Sequence, residues 1–400
     1  MDGPTERAPL SADLLPPSGA WRPGDPVGAR RFVSLARDRP FALEGGSVLR
    51  DIDLAYETWG DLDADGANAV LVCHALTGDS HAAGPSGPGQ PTPGWWDDLI
   101  GPGRALDTDR YFVVCVNVLG SCRGTTGPAS IDPARGRPYG ARFPVVTIRD
   151  MVRTQAAVAD HVGVRKWLAV VGGSMGGMQV LEWGITYPDR VGALVVLASS
   201  AAASAQQIGW SSVGRNAIVV DPKWAGGDYY DAEPGQGPHR GLALARAIAQ
   251  ITYRTDESFD SRFGRNLLDP IDDRFTLWQR FDVEGYLDYH GAKLVRRFDA
   301  NSYLIINRAM DLHDVGRGRG GIDAALRRIR VPTLVMSLSS DALYPPHQQE
   351  QLRDALAAHG TPCHYVMIDT VNGHDGFLLE SDAVGRPLAA FLADVEKHDA

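Results

Sequence analysis

Short apolar runs, separated by polar and glycine-rich stretches, recur along the chain. Residues 49–58 (LRDIDLAYET) alternate apolar and polar positions, the pattern of a half-buried strand. Residues 68–74 (NAVLVCH), 111–118 (YFVVCVNV) and 167–171 (WLAVV) are continuously apolar instead. So are 193–198 (ALVVLA), 332–337 (PTLVMS) and 364–368 (HYVMI). Runs this short, rich in Val, suit strands covered by helices on both faces. Helical periodicity falls between them. Residues 147–161 place Ile148, Met151, Val152, Gln155 and Val158 near one face, with Thr147 as N-cap. Residues 175–187 and 346–359 read the same way. The alternation predicts an α/β fold: a mostly parallel, doubly covered sheet.

The pattern breaks between residues 200 and 324. GLALARAIAQITYR and several aromatics (Trp210, Trp224, Tyr229, Tyr230, Trp278) lie there, with few strand-like runs. We expect a helical insertion over the sheet's carboxyl edge, acting as a lid. The organisation that follows is an arm at 1–30, a core at 31–200 and 325–400, and a helical lid at 201–324. Ten of the first thirty residues are Gly or Pro, so the arm is expected to be disordered or loosely draped. It lacks the basic start and apolar segment of a secretory signal. Together with the absence of any run of about eighteen apolar residues, this predicts a cytoplasmic protein with no membrane partner.

Composition narrows the function. With 44% apolar and 22% charged residues the chain is ordinary for a globular protein. A net charge of −10 argues against nucleic acid, whose binding needs a basic face. The four cysteines (Cys73, Cys115, Cys122, Cys363) form no CxxC pair, so a structural zinc site is not expected, and the three in or beside apolar runs are read as reduced core residues. His74 and His81 stand seven apart, which is no usual zinc spacing. No metal is expected.

The sharpest signal is Gly172-x-Ser174-x-Gly176, directly after WLAVV and before a helical run. About 0.3 chance matches are expected at this Gly and Ser content, so the context carries the weight. A tight strand-to-helix turn strains its central residue and needs small neighbours two positions away. Such a serine needs a histidine base held by a carboxylate. Asp341 follows the run PTLVMS, and His374 lies in the loop after HYVMI. The order Ser, acid, His and the shared sheet edge fit a nucleophile triad. Oxyanion donors would be the backbone N–H groups of Met175 and, in the loop CHALTGDSH, of Leu76. Gly316-x-Gly318-x-x-Gly321 matches a dinucleotide fingerprint only formally, because no strand precedes it. Its Arg317 and Arg319 remain open between a basic site and a solvated loop.

Together HALTGDSH, GPSGPGQPTPGWWD, NVLGSCRGTTGP, GGSMGGMQVLEW, YPDRV, GLALARAIAQITYR, FDANSYL, HDVGRGRGG, SDALYPP and NGHDGFL resemble the homoserine O-acetyltransferase family of methionine biosynthesis. The resemblance spans about residues 45–390. It implies an α/β-hydrolase fold with a helical lid, usually a homodimer. It also implies acetyl transfer from acetyl-CoA to the hydroxyl of L-homoserine, by a ping-pong route without bound cofactor. Ser174, Asp341 and His374 match the family's nucleophile, acid and base. Arg246 and Asp375 match its amino-acid-holding positions, a cation for the carboxylate and an anion for the ammonium. Ser121 stands where the family more often has Gly, and Val219-Val220 replaces a more polar pair. Relatives using succinyl-CoA or serine, and a plain esterase, are the alternatives on the same triad.

Overall fold

The computed structural model describes residues 14–268 and 276–399. Eight strands form the central sheet: β1 (Arg31–Leu35), β2 (Ile52–Trp59), β3 (Ala69–Cys73), β4 (Phe112–Val116), β5 (Ala169–Gly173), β6 (Leu194–Leu197), β7 (Thr333–Leu338) and β8 (Cys363–Ile368). Their order is β1-β2-β4-β3-β5-β6-β7-β8. β1 pairs antiparallel with β2 and β2 with β4, while every pairing from β4 to β8 is parallel.

Alternate side chains of these strands feed two apolar cores. Leu71, Val170, Val196 and Val335 join one with Met151, Leu181 and Leu352. Those three come from α1 (Ile148–His161), α2 (Met175–Thr186) and a later helix, Pro346–Ala358. Val70, Val171, Val195 and Leu334 point the other way, onto Trp96, Leu99 and the C-terminal helix Ser381–Asp399 with its Leu388 and Leu392. Both faces are therefore covered, as the continuous runs require. Thr147 caps α1 in a capping box: its side chain accepts from Asp150 N–H, and the Asp150 carboxylate accepts from Thr147 N–H.

Sequence and structure differ at informative places. The run at 167–171 becomes a strand at Ala169–Gly173, because Gly172 and Gly173 pair with Val196 and Leu197. Trp167 instead bridges Val191. The alternation of β2 fails at Glu57, which is buried. Its carboxylate accepts from Ser80 Oγ at 3.1 Å, Gln90 Nε2 at 2.9 Å and the His81 ring at 2.9 Å.

Between β6 and β7 the chain leaves the sheet through α3 (Ala205–Val219), α4 (His239–Tyr253), α5 (Asp256–Phe263), α6 (Asp282–Val295), α7 (Ala300–Asp311) and α8 (Ile322–Leu326). The arm expectation is corrected for residues 14–30; residues 1–13 lie outside the described residues. Pro17, Ser18 and Ala20 are buried. Ser18 Oγ donates to the Asp299 carboxylate at 2.7 Å, and Trp21 N–H donates to Cys122 C=O at 2.9 Å. Asp299 also receives the hydroxyls of Tyr229 and Tyr230, and caps α7 through Ser302 N–H. Polar anchoring thus holds a segment whose Gly and Pro content alone predicts looseness.

Candidate active site

Parallel strands present their carboxyl ends on one edge, and four loops there bring the predicted residues together. Ser174 follows β5 at φ 58° and ψ −124°, a strained conformation for any residue with a side chain. The surrounding glycines are obligatory on space. A Cβ on Gly176 would lie 2.1 Å from Cys73 O, and one on Gly172 would lie 2.6 Å from the Gly176 carbonyl carbon. The turn holds because Ser174 N–H donates to Leu197 C=O at 2.9 Å.

His374 Nε2 lies 2.8 Å from Ser174 Oγ, and its Nδ1 lies 2.7 Å from Asp341 Oδ2. With Asp341 ionised, Nδ1 carries the proton, leaving Nε2 to accept from the serine hydroxyl. Asp341 Oδ1 accepts from the N–H groups of Leu343 and Tyr344 at 2.9 and 2.8 Å, which fixes the carboxylate. All three side chains are buried. The His374 ring is walled by Tyr344, Phe377 and Tyr253, with centroids at 5.1, 5.4 and 5.7 Å. Such an array can make a serine nucleophilic and hand its proton onward.

Met175 N–H opens α2, where no intrahelical partner exists. No backbone carbonyl elsewhere in the described residues accepts from it or from Leu76 N–H. Leu76, Tyr253, Tyr303, Asn307, Asp311 and Tyr344 line a pocket between the helical insertion and the sheet edge. Asp311 pairs there with Arg215 at 2.6 Å.

Arg246 stands on α4 with its guanidinium 5.6 Å from the Tyr253 ring centroid. Among the described residues no carboxylate pairs with it. Asp375, beside His374, is 3.5 Å from Arg254 Nε. Burial lifts the Asp375 carboxyl above the ordinary carboxylate range, against the pull of Arg246 first and then Arg254 and His374. A cation and a largely buried anion thus lie close to the His374 ring.

The remaining sequence candidates are structural. His74 donates from Nδ1 to Ala75 C=O at 2.8 Å and accepts at Nε2 from Val118 N–H at 3.1 Å. His81 is held by Glu57. Cys73, Cys115 and Cys122 are buried and unbridged, and Cys363 is half-buried. Arg317 pairs with Glu44 at 2.9 Å and Arg319 with Glu182 at 2.8 Å. They tie the insertion's return to α2 through Glu182 and to the turn at Glu44, so both guanidinium groups are already paired with carboxylates. Ser121 is buried away from the pocket lining, and Val219 and Val220 are exposed on the insertion. Sequence reasoning missed Tyr253, Arg254 and Tyr344. A helical reading of GLALARAIAQITYR would have grouped Arg246, Gln250 and Tyr253 on one face.

A family model described as alpha/beta hydrolase fold matches residues 68–381. A homoserine O-acetyltransferase of Thermobifida fusca is 55% identical over 387 residues, covering 96% of this chain and 100% of its own length. That of Clavibacter michiganensis is 52% identical over 94% of this chain and 96% of its own length. The chain belongs to the homoserine O-acetyltransferase family. Among solved structures, the homoserine O-acetyltransferase from Bacillus anthracis superposes with a TM-score of 0.82 at 27% identity, covering 91% of this chain and 97% of its own. Esterase E22 matches with the same TM-score of 0.82 at 29% identity, over 91% and 99%. The backbone is thus shared with a protein named an esterase, and the acceptor must be argued from side chains. No helix among the described residues is long and apolar enough to cross a membrane.

Proposed function

We propose that this enzyme moves an acetyl group from acetyl-CoA to the hydroxyl of L-homoserine through an acyl-serine. Ser174 Oγ attacks the thioester carbonyl while His374 Nε2 takes its proton. The N–H groups of Leu76 and Met175 stabilise the oxyanion. The C–S bond breaks, and the thiolate leaves with the proton from His374. Homoserine's hydroxyl then gives its proton to His374 and attacks the acyl carbonyl. The Ser174 ester bond breaks and the serine recovers its proton. No redox or metal step is required. The helical insertion acts as a lid that keeps the acyl-serine from water.

The observation that carries the acceptor is the unpaired Arg246 together with Asp375 beside the base. A zwitterion presents one group to each, and a neutral ester needs neither. The donor is supported by a positive rim on the insertion. Burial first, then Arg246, Lys293, Arg254 and Arg262, push His290 down to about 3. Of these cations Lys293 and Arg262, which have no part in the acceptor reading, are the ones offered to the phosphate groups of a CoA donor. Homodimerisation is supported by apolar side chains exposed on the insertion, among them Val213, Leu244 and Ile251. The free thiols fit a cytoplasmic setting.

The test is steady-state turnover with acetyl-CoA and succinyl-CoA against homoserine, serine and no acceptor. Acetyl-CoA with homoserine should exceed every other pairing. Equal CoA release with and without homoserine would make the protein an esterase.

A further inference from the structure

Leu76 sits in the loop 74–81, which leaves β3 and lies under the turn between α6 and α7. Its N–H belongs to the peptide unit whose carbonyl is that of Ala75. That carbonyl accepts from His74 Nδ1 at 2.8 Å and from Gly78 N–H at 2.9 Å. A trans peptide is planar, so fixing the carbonyl on one side aims the N–H to the other. Gly78 N–H in turn shares its peptide unit with Thr77 C=O. The Thr77 carbonyl accepts from Arg297 Nη2. The other arm of that guanidinium donates to Asp79 Oδ2 at 3.2 Å, and Asp79 Oδ1 accepts from His81 N–H at 2.9 Å. The far side of the loop is held independently: Gln179 Nε2, on the helix that begins beside Ser174, donates to His74 C=O at 3.0 Å.

We infer that Arg297, carried by the helical insertion, is a positioning residue for the oxyanion site. It acts through two successive peptide planes, Thr77–Gly78 and Ala75–Leu76, whose free end is the Leu76 N–H. The inference rests on the acyl-serine reading above. Two physical effects reach Leu76 along this route. The fork fixes the orientation of the first plane, and through it the second. The cation also polarises the aligned peptides, making the terminal N–H a better donor. Arg297 and Asp79 are both mostly shielded from water, at 17% and 15% side-chain exposure, which keeps the fork in place. Burial lowers the Arg297 pKa, with Asp79 opposing that shift. Arg123 stands 3.9 Å from the same Asp79 carboxylate and gives it a second cation.

An oxyanion forms in both half-reactions, so the signature differs from that of a substrate-binding residue. Arg297→Ala should slow acylation, read as single-turnover CoA release, and deacylation of isolated acetyl-enzyme by homoserine. Both should slow by the same factor, about 10- to 100-fold, a fraction of what losing an oxyanion donor costs. The homoserine KM should stay within about twofold. Added guanidinium ion should restore part of both rates, and Arg297→Lys, which keeps the cation but not the fork, should fall between. If the alanine variant does not fold, equal slowing of both steps in Arg297→Lys decides the matter. Slowing of deacylation alone, or a raised homoserine KM, would mean that Arg297 holds the acceptor. Unchanged rates per folded molecule would overturn the inference alone. Failure of the wild type to form acetyl-enzyme would overturn the acyl-serine reading and the inference with it.

Discussion

Replacing Arg246 by alanine separates the two halves of the proposed reaction. The guanidinium makes no ion pair with a carboxylate among the described residues, and Asp375, which feels its charge, keeps Arg254 at 3.5 Å when it is removed. The loss falls on the acceptor's carboxylate. A charge-assisted hydrogen bond is worth roughly 1.5–3 kcal/mol, which converts to about 10- to 150-fold in kcat/KM for homoserine. Acylation by acetyl-CoA uses no charge at that position, so the burst of CoA release should survive. A second effect follows from Asp375. Burial already raises its carboxyl, and Arg246 is the strongest influence holding it down. Without Arg246 the carboxyl rises further, and it must be ionised to hold an ammonium group. The acid limb of kcat/KM for homoserine should therefore move to higher pH in Arg246→Ala. In Arg246→Lys it should stay near the wild-type position while affinity remains impaired, because the charge persists but the fork does not. The assay is stopped-flow CoA release with and without homoserine across pH 5–8, a window set by roughly neutral operation of a histidine base. Burst and turnover falling together would refute the assignment, placing Arg246 on the donor. An unmoved acid limb would refute the coupling to Asp375.

Ser174→Ala should abolish acylation, with mass spectrometry locating the wild-type acetyl group on the peptide that contains Ser174. Ser174→Gly should be equally inactive yet melt higher than Ser174→Ala, because glycine relieves a backbone strain of about 1–3 kcal/mol at φ 58°; equal melting temperatures would deny that strain. Glu182 is 1% exposed and holds both Arg149 and Arg319. Glu182→Gln should cost about 3–5 kcal/mol in denaturant unfolding by leaving Arg319 without its carboxylate, while Arg149 keeps Glu44, and kcat per folded molecule should stay unchanged. Burial holds His313 near a pKa of about 4, below its ordinary 6.5. The unfolded chain therefore takes up its proton first, and stability present above pH 6.5 is lost as pH falls toward 4, by about 3 kcal/mol. His313→Asn should flatten that part of the stability profile, and an unchanged slope would remove His313 as its source.

The parallel strands were legible because burial on both faces leaves an apolar run that no other element of that length explains. The nucleophile turn was legible because steric demand forces glycine at fixed offsets from Ser174. Asp341 and His374 followed from chain order and from the sheet edge on which their strands end. Other features carried no such mark. β1 is a half-exposed edge strand of five residues, too short and mixed to show a period. Arg297, Arg317 and Arg319 look like any surface arginine in sequence, since their partners Asp79, Glu44 and Glu182 lie far away along the chain. Arg246 was named only through the resemblance to a family. Its helix-mate Tyr253 could have been reached from periodicity, but its neighbour Asp375 could not, because the two meet through tertiary packing.

The match to both a transferase and esterase E22 at one TM-score means the sheet and its nucleophile turn do not choose between acceptors. An acyl-serine meets water at about 55 M, so an amino-acid acceptor at millimolar levels must be held in place to compete. Well-oriented neighbours reach effective molarities of about 10⁵ M or more, which exceeds that of water by orders of magnitude. Two charges at fixed positions are enough to supply such orientation for a zwitterion. A charge on water's side of the ledger has nothing to grip. One of the two, Asp375, lies in the same loop as the base. The other, Arg246, comes from the helical insertion, which also carries Arg297 against the oxyanion loop. In the proposed reaction the insertion thus reaches the chemistry at two points, the acceptor's carboxylate through Arg246 and the peptide planes behind Leu76 through Arg297. Choice of acceptor in this fold is then a property of the insertion and of one residue beside the base, and the shared sheet can stay as it is.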